Sequence, residues 1–593
     1  MRWVDLRVRN ACALHLLAGL AWALACCDGR PHARTEGVAV HTKGPIAVLD
    51  LSDGVPEKAT GGVLGISANR TSFDEFVRSA ERLSGDAHVR GVIVRLGSSR
   101  LGLSRATEIG ALLRRVDARI PVWCHADDLG NTTLYVAAEG CRRTWMTPSG
   151  SVDAIGLAAE LVYFHKLLAD RLGLDVDFLQ VGKYKGAEEP FTRDGPSPEA
   201  RLSVEAMLAA LRSAWTAGIS RGRPRVAEGS LEDGPYAAGR ARELGLVDEL
   251  GYFDEAREAL QREVSAGHAD LWFGPGQGRD DVADMLRDVA GGWFGAAPVA
   301  LVRAVGAITL EGQPFGDGGI VQRRLARTLE RLEKDDHVKA VVLRVDSPGG
   351  SALASDLLWH ALMRLRSSKP VVVSVGDMAA SGGYFIASAG SLVLADEASI
   401  VGSIGVVGGK ISAGRALEGL GVHGETVPAK VDDGRASSRA AIESPLVAWD
   451  EATRERVLAT MVDIYDLFLS RIAEGRGVPV ERVAQSAEGR LFGGREAKER
   501  GLVDELGGLS DAIARARSLA GLPKDAEVDT AEGSGGWLEA IADNDSQSRG
   551  PTSRLMEALA PGGSALIPFI ESIMPFAGSE RTVCALPFVL TLR

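Results

Sequence analysis

Hydrophobic positions in this chain gather into short β-branched runs separated by longer amphipathic stretches. Val92–Leu96, Pro121–Cys124, Val176–Val181, Ala340–Val345 and Val371–Val375 predict buried strands, because a strand covered on both faces has no need to alternate. Between them, Ser197-Pro198-Glu199 and Ser444-Pro445 each pair a serine N-cap with proline at the first helical position, which predicts helix starts. Tyr384–Gly390 reads as a further short helix directly after a strand. Strand alternating with helix predicts an α/β chain.

The pattern also repeats. His88-Val89-Arg90-Gly91-Val92-Ile93-Val94-Arg95-Leu96 is echoed 249 residues later by His337-Val338-Lys339-Ala340-Val341-Val342-Leu343-Arg344-Val345. Gly245-Leu246-Val247-Asp248-Glu249-Leu250-Gly251 recurs 256 residues on, as Gly501-Leu502-Val503-Asp504-Glu505-Leu506-Gly507. Ordered matches at a nearly constant offset make the chain a tandem duplication.

After the strand at Val371 comes Asp377-Met378-Ala379-Ala380-Ser381-Gly382-Gly383-Tyr384. A serine in the first turn of a helix stands where free N–H groups and the positive end of the helix dipole point, which suits a nucleophile whose attack creates an oxyanion. A plain capping serine is the alternative. Asp346-Ser347-Pro348-Gly349-Gly350-Ser351 likewise follows a strand, and its paired glycines either form an ordinary turn or aim a backbone N–H at a ligand. Gly350 N–H and Gly382 N–H are the candidate oxyanion donors.

The copies differ at these places. With Gly140 aligned to Gly390, Ser381 falls on Asn131 and Gly382-Gly383 fall on Thr132-Thr133; at the 249-residue offset of the preceding strand, the Pro348-Gly349-Gly350 turn falls on Ser99-Arg100-Leu101. The first copy instead carries Gly182-Lys183-Tyr184-Lys185-Gly186-Ala187-Glu188-Glu189-Pro190-Phe191, where the second reads Val427-Pro428-Ala429-Lys430-Val431-Asp432-Asp433. A serine nucleophile needs a base, and none of the ten histidines lies in a Ser-His-Asp context; His88 and His337 occupy matching scaffold positions. Gly218-Ile219-Ser220-Arg221-Gly222 sits at a helix end and not on a strand-to-helix elbow. A lysine serves if burial favours its neutral form. Lys185 is the first candidate, with Lys183 and Lys430 as rivals; a solvated surface lysine is the other reading.

These residues resemble the bacterial signal peptide peptidase A family in its long, duplicated form, over roughly residues 44–263 and 298–522. The resemblance implies a tandem α/β duplication of a Clp protease/crotonase-like (ββα spiral) domain and a Ser/Lys-dyad serine endopeptidase. Ser381 is then the nucleophile, Lys185 the general base, Gly350 and Gly382 the oxyanion donors, and Ser403, in Gly402-Ser403-Ile404-Gly405, a hydroxyl that holds the lysine. It further implies a membrane-bound homotetramer that degrades cleaved signal peptides or other short hydrophobic peptides, without a cofactor. Tyr384, Phe385, Val401 and Ile404 are expected to line an apolar specificity pocket. The competing classes are a crotonase-like enzyme that binds an acyl thioester and a non-catalytic assembly scaffold. Ser381 with Lys185 argues against the first, whose chemistry uses a carboxylate.

Composition changes little in this picture. A net charge of −12 with mixed signs argues against nucleic acid as a partner, and 45% hydrophobic residues is globular. Residues 1–27 read as an export segment: Arg2, Arg7 and Arg9 precede the apolar stretch Ala11–Ala25, which ends at Cys26-Cys27. Either Cys26 or Cys27 is lipidated, or the stretch stays as a short anchor; both place the catalytic body outside the cytoplasm, on the periplasmic face of a bacterial membrane. The remaining cysteines, Cys124, Cys141 and Cys584, show neither zinc spacing nor an obvious disulfide framework, and Cys124 reads as core. Glycine-rich composition places linkers at 264–297 and from 523 into the tail ending at 593.

Overall fold

The computed structural model describes residues 44–58, 72–97, 101–275, 297–310, 319–427, 429, 439–531 and 582–584. The export segment with Cys26 and Cys27, the rival base Lys430, Ser99-Arg100 and most of the tail lie outside the described residues.

Two parallel sheets carry the repeat. The first runs Glu249–Leu250, Arg143–Met146, Val122–Ala126, Gly91–Leu96, Ile46–Leu51, Ala269–Phe273. The second contains the same succession: Glu505–Leu506, Leu392–Ala395, Val371–Ala380, Ala340–Ser347, Val299–Val305, Val528–Thr530. Six strands in one order twice over are the duplication in three dimensions. The central strands of both sheets are buried, which is why they read as apolar runs and not as alternations.

The copies share their interior. One apolar cluster joins Phe73, Ile109 and Leu134 of the first copy to Leu301, Val342, Val372 and Ile513 of the second. Charge is buried in the same seam. Arg344, fully buried, donates to Glu57 (2.7 Å) and Glu108 (2.8 Å), while Arg105 reaches Asp377 at 2.6 Å. A third sheet stitches the copies through their backbones: Asp175–Val181 of the first pairs antiparallel with Val406–Ser412 of the second over seven residues.

Several expectations need correcting. Ser197 does cap the helix Pro198–Gly222, its side chain accepting from Ala200 N. Ser444-Pro445 starts no helix; the corresponding helix is Glu451–Arg476, capped by Asp450, whose carboxylate accepts from Thr453 N at 2.8 Å. There the Pro445 carbonyl is taken by Ala413 N and the Ser444 hydroxyl by Leu446 N, so that serine-proline pair closes a turn instead. Part of each stretch read as linker is edge strand, Ala269–Phe273 in one and Val528–Thr530 in the other. Cys124 is core, but it also forms a disulfide with Cys141, 17 residues away, with Cα atoms 5.7 Å apart. That pairing joins a strand to the end of the following helix, a proximity the cysteine spacing does not reveal.

Candidate active site

The first copy's strand Val122–Ala126 has five residues; its counterpart Val371–Ala380 has ten. Beyond a register shift near Val345 and Ser347 the longer strand continues with small residues and pairs with Ile400–Gly402. Its end delivers Ser381 to the N-terminus of the helix Gly382–Ala387. Ser381 adopts φ 55°, ψ −115°, a sparsely populated backbone for a residue with a side chain, and its N–H donates to Gly402 O at 2.7 Å. Its hydroxyl makes no capping bond. The capping alternative therefore fails, and the strained serine points its Oγ elsewhere.

It points at Lys185. The strand Asp175–Val181 ends in a turn at Gly182 (φ 108°), and Lys185 N closes that turn onto Gly182 O. The long side chain, wholly buried, brings Nζ to 2.7 Å from Ser381 Oγ, 2.9 Å from Ser403 O and 3.0 Å from Ser403 Oγ. Gly405 makes room: a Cβ there would stand 2.9 Å from Val181 O and 3.2 Å from Lys185 Cδ. Lys183, by contrast, is exposed and lies over the Tyr184 ring. Ser381, Lys185 and Ser403 are thus brought together.

Glycines also shape the turn at Gly350. Gly350 has φ 151°, and a Cβ on it would meet Ile308 O at 2.1 Å. The Ser347 hydroxyl accepts from Gly349 N and donates to Gly306 O, bracing the turn from inside. Gly383 packs onto the same turn, where a Cβ would come within 2.6 Å of Ser347 O. Gly382 N–H opens a helix, where no intrahelical acceptor exists.

Sequence reasoning missed the segment Glu488-Gly489-Arg490. Glu488 O accepts from Tyr184 N, Gly489 N donates to Ile404 O, and Arg490 O accepts from Ser403 N at 2.6 Å, so one loop clamps both the lysine turn and the Ser403 segment. Gly489 (φ 82°) admits no Cβ, which would lie 2.5 Å from Lys185 N. The single glycine was the available signal, and a lone glycine is too common to read.

Burial governs the local charges. It pushes Glu188, three residues past Lys185, up to about 8, against the pull of Lys185. Asp346 rises to about 7 through burial and the neighbouring charges of Asp377 and Glu57. The expected apolar pocket is a correction: Tyr384, Phe385, Val401 and Ile404 are all buried core. Tyr384 donates to Leu502 O, and Phe385 stacks on Phe468 with centroids 4.4 Å apart, so neither side chain is free to line a cleft.

A buried serine thus lies beside a buried lysine on a duplicated α/β frame, and comparison with known proteins gives the family. The profile of peptidase family S49 matches residues 114–267 and 363–523, one segment in each copy. The chain belongs to peptidase family S49, a family of serine peptidases. It is 30% identical over 404 residues to the chloroplastic serine protease SPPA of Arabidopsis thaliana, covering 67% of this chain and 58% of that protein. It is also 30% identical over 436 residues to Protease 4 of Haemophilus influenzae, covering 71% of this chain and 68% of that one. Among solved structures, a point mutant of ClpP1 from Listeria monocytogenes aligns over 39% of this chain and 98% of its own, at 15% identity and a TM-score of 0.24.

Proposed function

We propose that the chain is a serine endopeptidase in which Ser381 is the nucleophile and Lys185 the general base. The observation that carries this reading is the 2.7 Å approach of Lys185 Nζ to Ser381 Oγ, with both groups out of water. A neutral Lys185 donates to the two Ser403 oxygens and turns its lone pair toward Ser381, so Ser403 orients the base. Oγ attacks the peptide carbonyl as Nζ takes its proton. The carbonyl oxygen, now anionic, is met by the N–H groups of Gly350 and Gly382. Nζ then returns the proton to the departing amine, leaving an acyl-enzyme on Ser381, and water activated by the same lysine releases it. Arginine at position 185 would not substitute, because guanidinium holds its proton.

The substrates of this reading are short hydrophobic peptides, including cleaved signal peptides, and the assembly is a membrane-associated homo-oligomer facing the extracytoplasmic side. The Cys124–Cys141 disulfide supports that compartment, since such bonds persist where thiols are oxidised. No helix of the described residues is long and apolar enough to cross a membrane. The test is to treat detergent-solubilised protein with a fluorophosphonate and map the adduct. Modification at Ser381, lost in Lys185→Ala, is expected; an unmodified protein that cleaves no peptide would remove the reading.

A further inference from the structure

The third sheet runs Ile320–Val321, Ile308–Thr309, Gly350–Ser351, Thr582–Cys584, Val406–Ser412, Asp175–Val181. Its fourth strand comes from far along the chain and is paired on both sides. Cys584 stands opposite Gly350 and Val583 opposite Ser351 along one edge; Val583 stands opposite Val407 and Thr582 opposite Gly408 along the other. Both pairings are antiparallel.

The two edges it bridges both belong to the reactive site. Gly350 ends the glycine turn that supplies an oxyanion donor, and Val406 begins three residues after Ser403, which holds Lys185. Between them, with this strand taken away, lies a slot one strand wide. Such a slot recognises extended peptide by backbone hydrogen bonding, largely without regard to side chains. Ser381 and Lys185, which lie between these two edges in the chain's hydrogen-bonded network, are both 0% exposed.

We infer that residues 582–584 are an intramolecular occupant of the peptide groove, so that the enzyme is closed in cis by its own backbone and opens when this strand leaves. The inference rests on the proposed peptidase reading for the meaning of closure, though not for the pairing itself. A tethered strand competes at the high local concentration of its own chain, so an incoming peptide must either wait for release or displace it.

The test compares the full chain with Val583→Pro. Proline gives no N–H to the ladder and breaks the strand at the residue paired on both sides, and it is not part of the catalytic machinery. A fluorescein-labelled synthetic peptide spanning residues 578–588 is titrated into each protein, and fluorophosphonate labelling of Ser381 is timed in parallel. The expected result is at least about fivefold tighter peptide binding and about fivefold faster labelling in Val583→Pro, as for a groove open only a minor fraction of the time in the parent. Added peptide should slow labelling again in the variant. Equal peptide binding in the two proteins, or none in either, overturns the inference. Tighter peptide binding without labelling of either protein keeps the groove and removes the peptidase reading. A second variant, Thr582→Pro with Val583→Pro, guards against residual pairing and must bind the peptide at least as tightly.

Discussion

The Arg344 guanidinium of the second copy donates to the Glu108 carboxylate of the first at 2.8 Å, 236 residues away in sequence, and neither group meets water. Glu57 shares the same cation. The contact sits in the seam that must hold if Lys185 is to stay beside Ser381. Arg344→Met takes the shared cation from two buried carboxylates, of which Glu57 keeps Arg105 at 4.0 Å and Glu108 keeps Leu509 N at 2.6 Å, and one-sided loss of a buried pair costs about 3–5 kcal/mol. Urea unfolding should show that loss. It should be smaller at pH 5.5, because burial already holds Glu108 up at about 7 and the abandoned carboxyl then takes up a proton.

Ser381→Ala and Lys185→Ala should each lower peptide cleavage by about 10³-fold or more, and the double variant should be no worse than either alone, because the two act as one unit. Ser381 is fully buried and partners a buried lysine, so its removal also leaves Nζ short of one contact. A stability cost of about 1–3 kcal/mol is expected. Single-turnover kinetics beside thermal melts separates the two effects. Additive losses in the double variant would count against a dyad.

Gly350→Ala is expected to fail for reasons of space. The backbone there lies at φ 151°, and the new methyl would collide with Ile308 O. Activity should fall by at least the ~10² associated with losing one oxyanion donor. Fluorophosphonate labelling should fall with it, while Lys185→Arg keeps the glycine turn intact and is inactive through its base alone.

Stability should decline from pH 6.5 to 8.5. Burial holds Glu108 and Asp346 up at about 7 and Glu188 at about 8, above the ~4 of a carboxyl in the unfolded chain. Between those values the fold keeps protons that the unfolded chain has released, so their contribution is complete below about pH 4 and is lost as pH rises through 7 to 8. Buried His125, shifted downward, acts in the opposite direction only below about 6.5. Differential scanning calorimetry at the two pH values should give the lower midpoint at 8.5. Asp346→Asn, which retains an acceptor for Met378 N, should narrow the difference.

The Cys124–Cys141 bond should appear as one disulfide-linked peptide pair in a non-reducing digest. Replacing both cysteines by serine should cost about 3 kcal/mol, as for a loop of about 15 residues. Full alkylation of both thiols in the native, unreduced protein would exclude the bond.

Much of this was legible in the sequence because it is local or repeated. The strands announce themselves as β-branched runs, the duplication as matched segments at a steady offset, and Ser381 as the place where one copy has a Gly-Gly turn and the other has Asn131-Thr132-Thr133. The meeting of Lys185 with Ser381 was readable only as complementary absence, each copy lacking what the other holds. What stayed hidden depends on distant backbone. The Glu488-Gly489-Arg490 clamp, the Cys124–Cys141 pairing and the seating of Thr582–Cys584 are contacts between segments whose own patterns are ordinary. The apolar residues around Ser381 misled in the other direction, since hydrophobicity near a nucleophile reads alike for pocket and core, and here packing claimed them.

Asn131, the counterpart of Ser381, has settled into a different occupation. Its amide donates to Gly156 O at 2.6 Å and accepts from Ile155 N, while its carbonyl receives the indole N–H of Trp215. Two identical copies would present two such seats. Here one seat has been converted to masonry, and the polypeptide is in effect a heterodimer translated as a single message. Its serine and lysine halves are made in strict one-to-one proportion, so no half is ever synthesised without its complement.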